Sequence, residues 1–336
     1  MPDPVSVTLQ QLQQGLDGTT LTQAFGPDSL GIIIVKDLPA KFHQLRLQVL
    51  KSISVLATLP KERLDKLQCE ESTWLTGWSC GKEVLASTGE PDFNKGSYYV
   101  NCAFHRDPRL EGPTPELCDK FQDYKSYTSP NIWPPTDVEG LENFEKDTKE
   151  LCNLIIEVGQ SIAINCDKFM GHQGVYQLDF LERIVKNSTC TKARLLHYFP
   201  SDSKDKSSDD DWCGEHVDHS CITGLTSALF LDESKGLLHD LEKSPDPQAG
   251  LYIRDRHNNV HQVKIPSDCL AFQTGSALEE VSQGNFKAVP HYVRGTSVSH
   301  ISRNTLAVFC QPDLDEMVND KENFAQFATR VIKGNH

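Results

Sequence analysis

The spacing of apolar residues changes character once along this chain, near residue 190. Upstream, most apolar positions recur at helical intervals. Residues 7–24 read as a polar first helix, and Gly31-Ile32-Ile33-Ile34-Val35 as a buried strand, since β-branched side chains suit a pleated surface. After Leu38-Pro39 the series Phe42, Leu45, Val49, Leu50 and Ile53 follows a period of about 3.6 and predicts a helix. Leu59-Pro60 ends it, and Lys61-Glu62-Arg63 begins another turn. Residues 69–140 are rich in Gly, Pro, Trp and Tyr and read as loops, the kind of segment that lines sites on a rigid scaffold. Phe144, Leu151, Ile155, Val158 and Ile162 mark a long amphipathic helix from Leu141 to about Phe169.

Downstream the runs shorten. Leu195–Phe199, Ile222–Leu231, Gly250–Arg254, Val260–Ile265, Leu270–Thr274, Ala288–Val293 and Leu306–Gln311 are strand-like and separated by polar turns, with His257-Asn258-Asn259 as a hairpin turn. So many short strands in one stretch predict a double-sheet jelly roll or barrel, and Leu314–Ile332 reads as a closing helix. The fold class expected is mainly β with flanking helices (α+β). Two polar insertions, Ser201–Asp211 and Asp232–Gln248, read as solvated loops, the first with a lid over His216 as the lesser reading.

Composition narrows the function classes. The 336 residues suffice for a large core, and 38% hydrophobic with 24% charged residues is ordinary for a globular protein. A net charge of -14 and pI near 5.3 disfavour nucleic acid or an anionic membrane as partner. No apolar run approaches the roughly 18 residues of a membrane span, and no charged-then-apolar leader opens the sequence. The eleven cysteines are scattered without a Cys-x-x-Cys, which fits reduced thiols in the cytoplasm and leaves the Asn187-Ser188-Thr189 sequon silent. Oligomeric state is not readable.

The candidate chemistry sits in Gly214-Glu215-His216-Val217-Asp218-His219, with Pro290-His291-Tyr292-Val293 and Ser302-Arg303-Asn304-Thr305. Two imidazoles and a carboxylate suit a ferrous ion held on one face, with the opposite positions open. A His-x-acid pair is common by chance among 12 His and 47 acidic residues, and His105-Arg106-Asp107 is a rival. The rival lies in a Pro-rich stretch with no strand-like flank. His216 and Asp218 lie between strand-like runs, where residues i and i+2 share a face. His291, His300, His257 and His261 are candidates for the third ligand. His291 is favoured because it lies in a strand-like segment 12 residues before Arg303; His300 falls in the connecting loop, and His257 and His261 flank the hairpin as surface residues. His219 reads as a packing residue. The Arg-x-Thr pair suits a dicarboxylate, because a guanidinium fork binds a carboxylate bidentately.

Here the sequence resembles a known family. Gly250-Leu-Tyr-Ile-Arg, Val263-Lys-Ile-Pro, Leu270-Ala-Phe-Gln-Thr-Gly, Ser282-Gln-Gly-Asn-Phe-Lys-Ala-Val-Pro-His291 and Arg303-x-Thr305 are similar, in order, to the isopenicillin N synthase-like group of Fe(II)/2-oxoglutarate-dependent oxygenases. Gly31-Ile-Ile-Ile-Val-Lys-Asp-Leu-Pro resembles its N-terminal part. The resemblance implies a double-stranded β-helix core over residues 186–313. Around it would lie an N-terminal oxygenase-like region (1–140), a supporting helix (141–185) and a C-terminal helix (314–336). It also implies Fe(II) on His216, Asp218 and His291, O₂ as oxidant, and 2-oxoglutarate held through Arg303 and Thr305. Three departures stand out: 75 residues separate His216 from His291, Thr305 stands where many members have Ser, and Leu196-His197-Tyr198 replaces a common Asn and Tyr. Tyr198 is the candidate to face the co-substrate.

The activity implied is oxidation, with hydroxylation foremost, of a small-molecule substrate, releasing succinate and CO₂. Substrate-facing candidates are Tyr98, Tyr99 and Asn101 in the segment Lys95–Asn101; Arg194, Arg254 and Arg294 are candidate anchors for an acidic substrate, with exposure as their default. Two other readings use the same triad: a catalytically silent metal-binding scaffold, and a zinc hydrolase. The latter lacks a His-Glu-x-x-His helix.

Overall fold

The structure, a computed structural model, describes residues 3–84, 89–174, 178–200, 212–296 and 298–334. The Ser201–Asp211 insertion, and with it the lid reading, lies outside the described residues. Where the sequence predicts one helix over 7–24, three pieces form: strand β1 (Val5–Thr8) and helices α1 (Leu9–Gln14) and α2 (Gly18–Phe25). The Thr8 hydroxyl accepts from the Gln11 amide at 3.0 Å and the Gln11 side chain accepts from the Thr8 amide at 2.8 Å, a reciprocal cap that starts α1. Gly15, at φ 108°, ends it, and Asp17 caps α2.

Strand β2 (Ile32–Lys36) leads into α3 (Ala40–Ala57) and α4 (Lys61–Asp65). The stretch expected to be loops holds two strands, β3 (Gly77–Cys80) and β4 (Lys95–Asn101), besides the short helices α5 (Pro115–Lys120) and α6 (Lys125–Thr128). The long helix α7 runs Phe144–His172, three residues later than expected, and α8 spans Phe180–Asn187. Then come β5 (Lys192–Tyr198), β6 (Cys213–His216), β7 (Ile222–Thr226), β8 (Leu229–Asp232), β9 (Asp240–Leu241), β10 (Gly250–Arg254), β11 (Val260–Val263) and β12 (Leu270–Thr274). After α9 (Ser276–Val281), β13 (His291–Arg294) and the ten-residue β14 (Ile301–Cys310) complete the sheets, and α10 (Phe324–Gly334) closes the chain. The closing helix starts ten residues later than expected because Asn323 and Gln326 form its cap, each accepting the other's backbone amide.

Among the described residues two sheets form. The larger has the order β1-β2-β12-β7-β14-β5-β4-β3, with β8 and β9 continuing from β14; all its pairs are antiparallel except β1 with β2. The smaller is β11-β10-β13-β6, antiparallel throughout. Residues alternate between its two environments. On β2, Ile33 and Val35 join the core under the helices while Ile32 and Ile34 pack between the sheets with Leu251, Ile253, Val263 and Ala271. Each such aliphatic side chain stabilises by roughly 1.5–3 kcal/mol on burial. On β14, Leu306, Val308 and Cys310 face the helices, and Arg303, Thr305, Ala307 and Phe309 face the space between the sheets. This is the jelly roll expected.

Two polar devices fix the helices to the sheet. Arg46 of α3 is buried and donates to the carbonyls of Ser227 (3.0 and 2.9 Å) and Ala228 (2.8 Å). These bonds hold a turn that splits the expected run Ile222–Leu231 into β7 and β8. Behind β14, the Asn304 amide donates to Leu50 O (2.6 Å) and Ser54 Oγ (2.7 Å), and its oxygen lies 2.7 Å from His197 Nδ1. With the amide nitrogen used twice, the proton of this contact belongs to Nδ1. Burial, partly offset by that bond, lowers the His197 pKa to about 4.

Two outcomes follow. A Cβ at Gly224 would stand 2.5 Å from Ile155 Cγ2 of α7, so Gly224→Ala is expected to cost about 1–3 kcal/mol in denaturant unfolding. The unfolded chain takes up a His197 proton near pH 6.5 and the folded chain only near pH 4. The stability His197 contributes is therefore complete above pH 6.5 and falls toward pH 4, by at most about 1.4 kcal/mol per unit. Unfolding of the protein and of His197→Gln over that range should show a shallower slope in the variant.

Candidate active site

The site is built from a register. In the β13–β6 pair His291 stands directly opposite His216, which brings the ring centroids to 4.3 Å. Asp218 follows β6 and approaches both: its Oδ1 is 3.7 Å from His216 Nε2 and 3.8 Å from His291 Nε2. One donor atom from each residue lies within 4.8 Å of the others, and among the described residues these three alone form such a group.

Neighbouring polar groups set the donor atoms. Thr223 Oγ1 donates to Asp218 Oδ2 at 2.6 Å, leaving Oδ1 toward the imidazoles. His216 Nδ1 is 2.8 Å from Gly214 O, which places a proton there and leaves Nε2 as the nitrogen facing Asp218. The Gln273 carboxamide meets His291 Nδ1 at 3.0 Å while its other terminal atom is buried without a partner among the described residues. A half-turn of that amide puts its oxygen on Nδ1–H and frees Nε2 of His291 as well. Burial would raise the Asp218 carboxyl, but His291, His216 and the Thr223 hydroxyl outweigh it and hold the pKa below the usual value. Burial, with His216 beside it, lowers the pKa of His291 to about 4, so the ring is neutral at pH 7.

The triad lines a cavity of about 710 Å³ between the sheets. On the opposite wall, Arg303 pairs in register with Tyr198, and its guanidinium lies 5.1 Å above the Tyr198 ring. The residue is 6% exposed, and among the described residues its Nε and Nη1 have no hydrogen-bond partner. Thr305, two residues on, lines the same cavity, and its hydroxyl donates to Thr226 O at 3.4 Å. A buried guanidinium with unmet donors costs on the order of several kcal/mol unless a ligand meets it. The donor set and this cation therefore fit a metal ion together with an anionic co-ligand.

The other sequence candidates resolve as follows. His105 is bound to Ser188 O at 2.8 Å and Asp107 to Arg109, which removes the rival pair. His300 precedes β14 with φ 63° and lies outside the triad. His261 is buried beneath the hairpin rather than on the surface, 2.8 Å from Asp255, while His257 is exposed. His219 packs against Phe324 and meets the Tyr127 hydroxyl at 3.1 Å. The segment Lys95–Asn101 is a buried strand, not a substrate loop. Tyr98 bonds to Ile132 O, Tyr99 to Glu83 and Asn101 to Ser129 O, and none of the three lines the cavity. Arg254 pairs with Glu215 and Arg294 is exposed, but Arg194, expected on the surface, lines the cavity. So does part of the Asp232–Gln248 insertion, from Leu241 to Pro247, which is therefore a wall rather than only a solvated loop. Thr223 and Gln273 were not singled out from sequence. Gln273 leaves one signal, a lone amide in the apolar strand Leu-Ala-Phe-Gln-Thr.

Among the described residues no helix is long and apolar enough to cross a membrane. No family model matches the sequence, and no curated protein matches it. Solved structures do. A putative 2OG-Fe(II) oxygenase family protein from Caulobacter crescentus superposes with a TM-score of 0.69 at 15% identity, covering 100% of both chains. A full-length Neurospora crassa protein in complex with alpha-KG gives 0.68 at 16% identity, over 97% of this chain and 95% of that one. JOX2 in complex with 2OG, Fe and JA gives 0.66 at 15%, over 98% and 85%. The chain thus shares the jelly-roll fold of these oxygenase structures along nearly its whole length.

Proposed function

We propose that this protein is an Fe(II)- and 2-oxoglutarate-dependent oxygenase that oxidises, foremost by hydroxylation, a small-molecule substrate. The observation that carries the reading is the buried Arg303 guanidinium, its Nε and Nη1 unmet, across one cavity from a converging His216–Asp218–His291 triad. The shared fold supports it. Residues 186–313 are the proposed catalytic core, with 1–140, 141–185 and 314–336 supporting it. A zinc hydrolase or a silent metal-binding scaffold accounts for the triad and leaves the unmet cation unexplained.

In this reading His216, Asp218 and His291 hold the iron through Nε2, Oδ1 and Nε2. A ferrous ion held there would supply, with 2-oxoglutarate and O₂, the oxidising power for hydroxylation, one oxygen atom passing to substrate and the other to succinate as CO₂ leaves. The chain's own part is to bind and aim. Thr223 holds the carboxylate rotamer, while Gly214 O and Gln273 fix the imidazole tautomers. Arg303 and Thr305 take the distal carboxylate, and the Tyr198 ring beneath the guanidinium keeps it level and screens it from water.

Anaerobic protein given ferrous iron and 2-oxoglutarate should develop a weak visible charge-transfer band, absent in His216→Ala and Asp218→Ala; a band unaffected by both changes would overturn the ligand assignment. Arg303→Ala should retain ferrous binding but weaken 2-oxoglutarate by about 10- to 100-fold in a titration of that band, the loss of a charge-assisted bidentate contact.

A further inference from the structure

Arg303 and Thr305 use one end of the β5–β14 wall; a second guanidinium occupies the other. Arg194 stands opposite Ala307 in the β5–β14 ladder, four residues from Tyr198 and on the same face, about 13 Å along the strand. Its side chain is 16% exposed and is oriented by its neighbours. Nε and Nη2 donate to Ser97 Oγ at 3.0 and 2.8 Å, Nη2 also to Glu83, and the guanidinium lies 5.1 Å over the Tyr99 ring. Glu83 is shared with Lys95 at 3.0 Å, and Lys95 is met in turn by Asp92 at 3.1 Å. Nη1 has no protein partner among the described residues. Beside Arg194 in the sheet stand Ala307 and Leu225, and Ala228, Leu251, Val263 and Phe309 add apolar lining to the same cavity, whose two lysines, Lys243 and Lys264, are exposed.

A cavity of about 710 Å³ lies within the range that holds a drug-sized molecule. We infer that Arg194 is the substrate-anchoring residue, and that its ligand is an apolar small molecule carrying one carboxylate. As a statement about substrate this rests on the oxygenase reading; as a binding site it rests on the cavity alone. Ser97, Glu83 and Tyr99 hold the fork in place before ligand arrives, so a carboxylate on Nη1 costs little side-chain ordering. A neutral amide in its place forgoes the charge assistance.

The test is direct binding by calorimetry to the full chain, with phenylpropionate, cyclohexylacetate and octanoate each compared with its primary amide. An acid of this set should bind about 10-fold or more tighter than its amide. Arg194→Gln should bring that ratio to about one and leave 2-oxoglutarate affinity within about 3-fold. Arg194→Lys, which keeps a charge without the fork, should retain a smaller preference and decides the matter if the glutamine variant does not fold. The inference is overturned if no acid binds, if acid and amide bind equally, or if the preference survives Arg194→Gln or vanishes instead in Arg303→Ala. Acid preference without any 2-oxoglutarate binding would overturn the oxygenase reading and leave the anchor standing. The reverse result would remove the anchor alone.

Discussion

Strand β14 hydrogen-bonds to β5 along one edge and to β7 and β8 along the other, and nearly every residue from Ile301 to Cys310 is buried. A slip of one residue would send Arg303, Thr305 and Phe309 into the aliphatic core and turn Leu306 and Val308 toward the cavity. The polar clasp of Asn304 with Leu50, Ser54 and His197 resists such a slip, because an amide displaced from it would be buried unpaired. The proposed co-substrate anchor is therefore a by-product of strand register: once the apolar set is placed against α3 and α7, the cation has nowhere to go but inward.

That logic bears on what is legible in the sequence. The jelly roll shows in the succession of short apolar strands, and the converging triad and the proposed anchor in their residue types and spacing; the Tyr198 register follows from Leu195 packing into the core. What escaped was polar burial. Strand β4 is inside at every position yet contains Lys95, Ser97 and Asn101, so no alternation announces it. Its lysine is tolerated because Asp92 and Glu83 stand at 3.1 and 3.0 Å, and Asn101 because its amide meets Ser129 O and Lys192. Partners so scattered along the chain leave no local signature. β1 was lost for another reason: four residues carry too little pattern to separate a strand from a helix start. Arg194 is a sequence candidate whose burial the sequence does not announce, because the carboxylate that pairs with it, Glu83, stands 111 positions away.

The electrostatic picture is likewise local rather than global. A chain of net charge -14 presents two guanidiniums to the cavity between its sheets, one with two donors unpaired among the described residues and one held by a shared carboxylate. The acidic exterior says little about what the interior recognises, since a few buried groups of low hydration set the field there.

The proposed metal ligands and the co-substrate anchor occupy opposing walls: His216 and His291 belong to the smaller sheet, Arg303 and Thr305 to the larger. Asp218 sits in the short passage where the chain crosses from one to the other. The reach between triad and guanidinium is consequently a caliper whose jaws are spaced by Ile32, Ile34, Ile253 and Ala271, of which Ile253 stands beside His291 in the β10–β13 ladder. Methyl groups deep in that filling thus help set the span between triad and guanidinium, and drift in their packing would alter it from a distance.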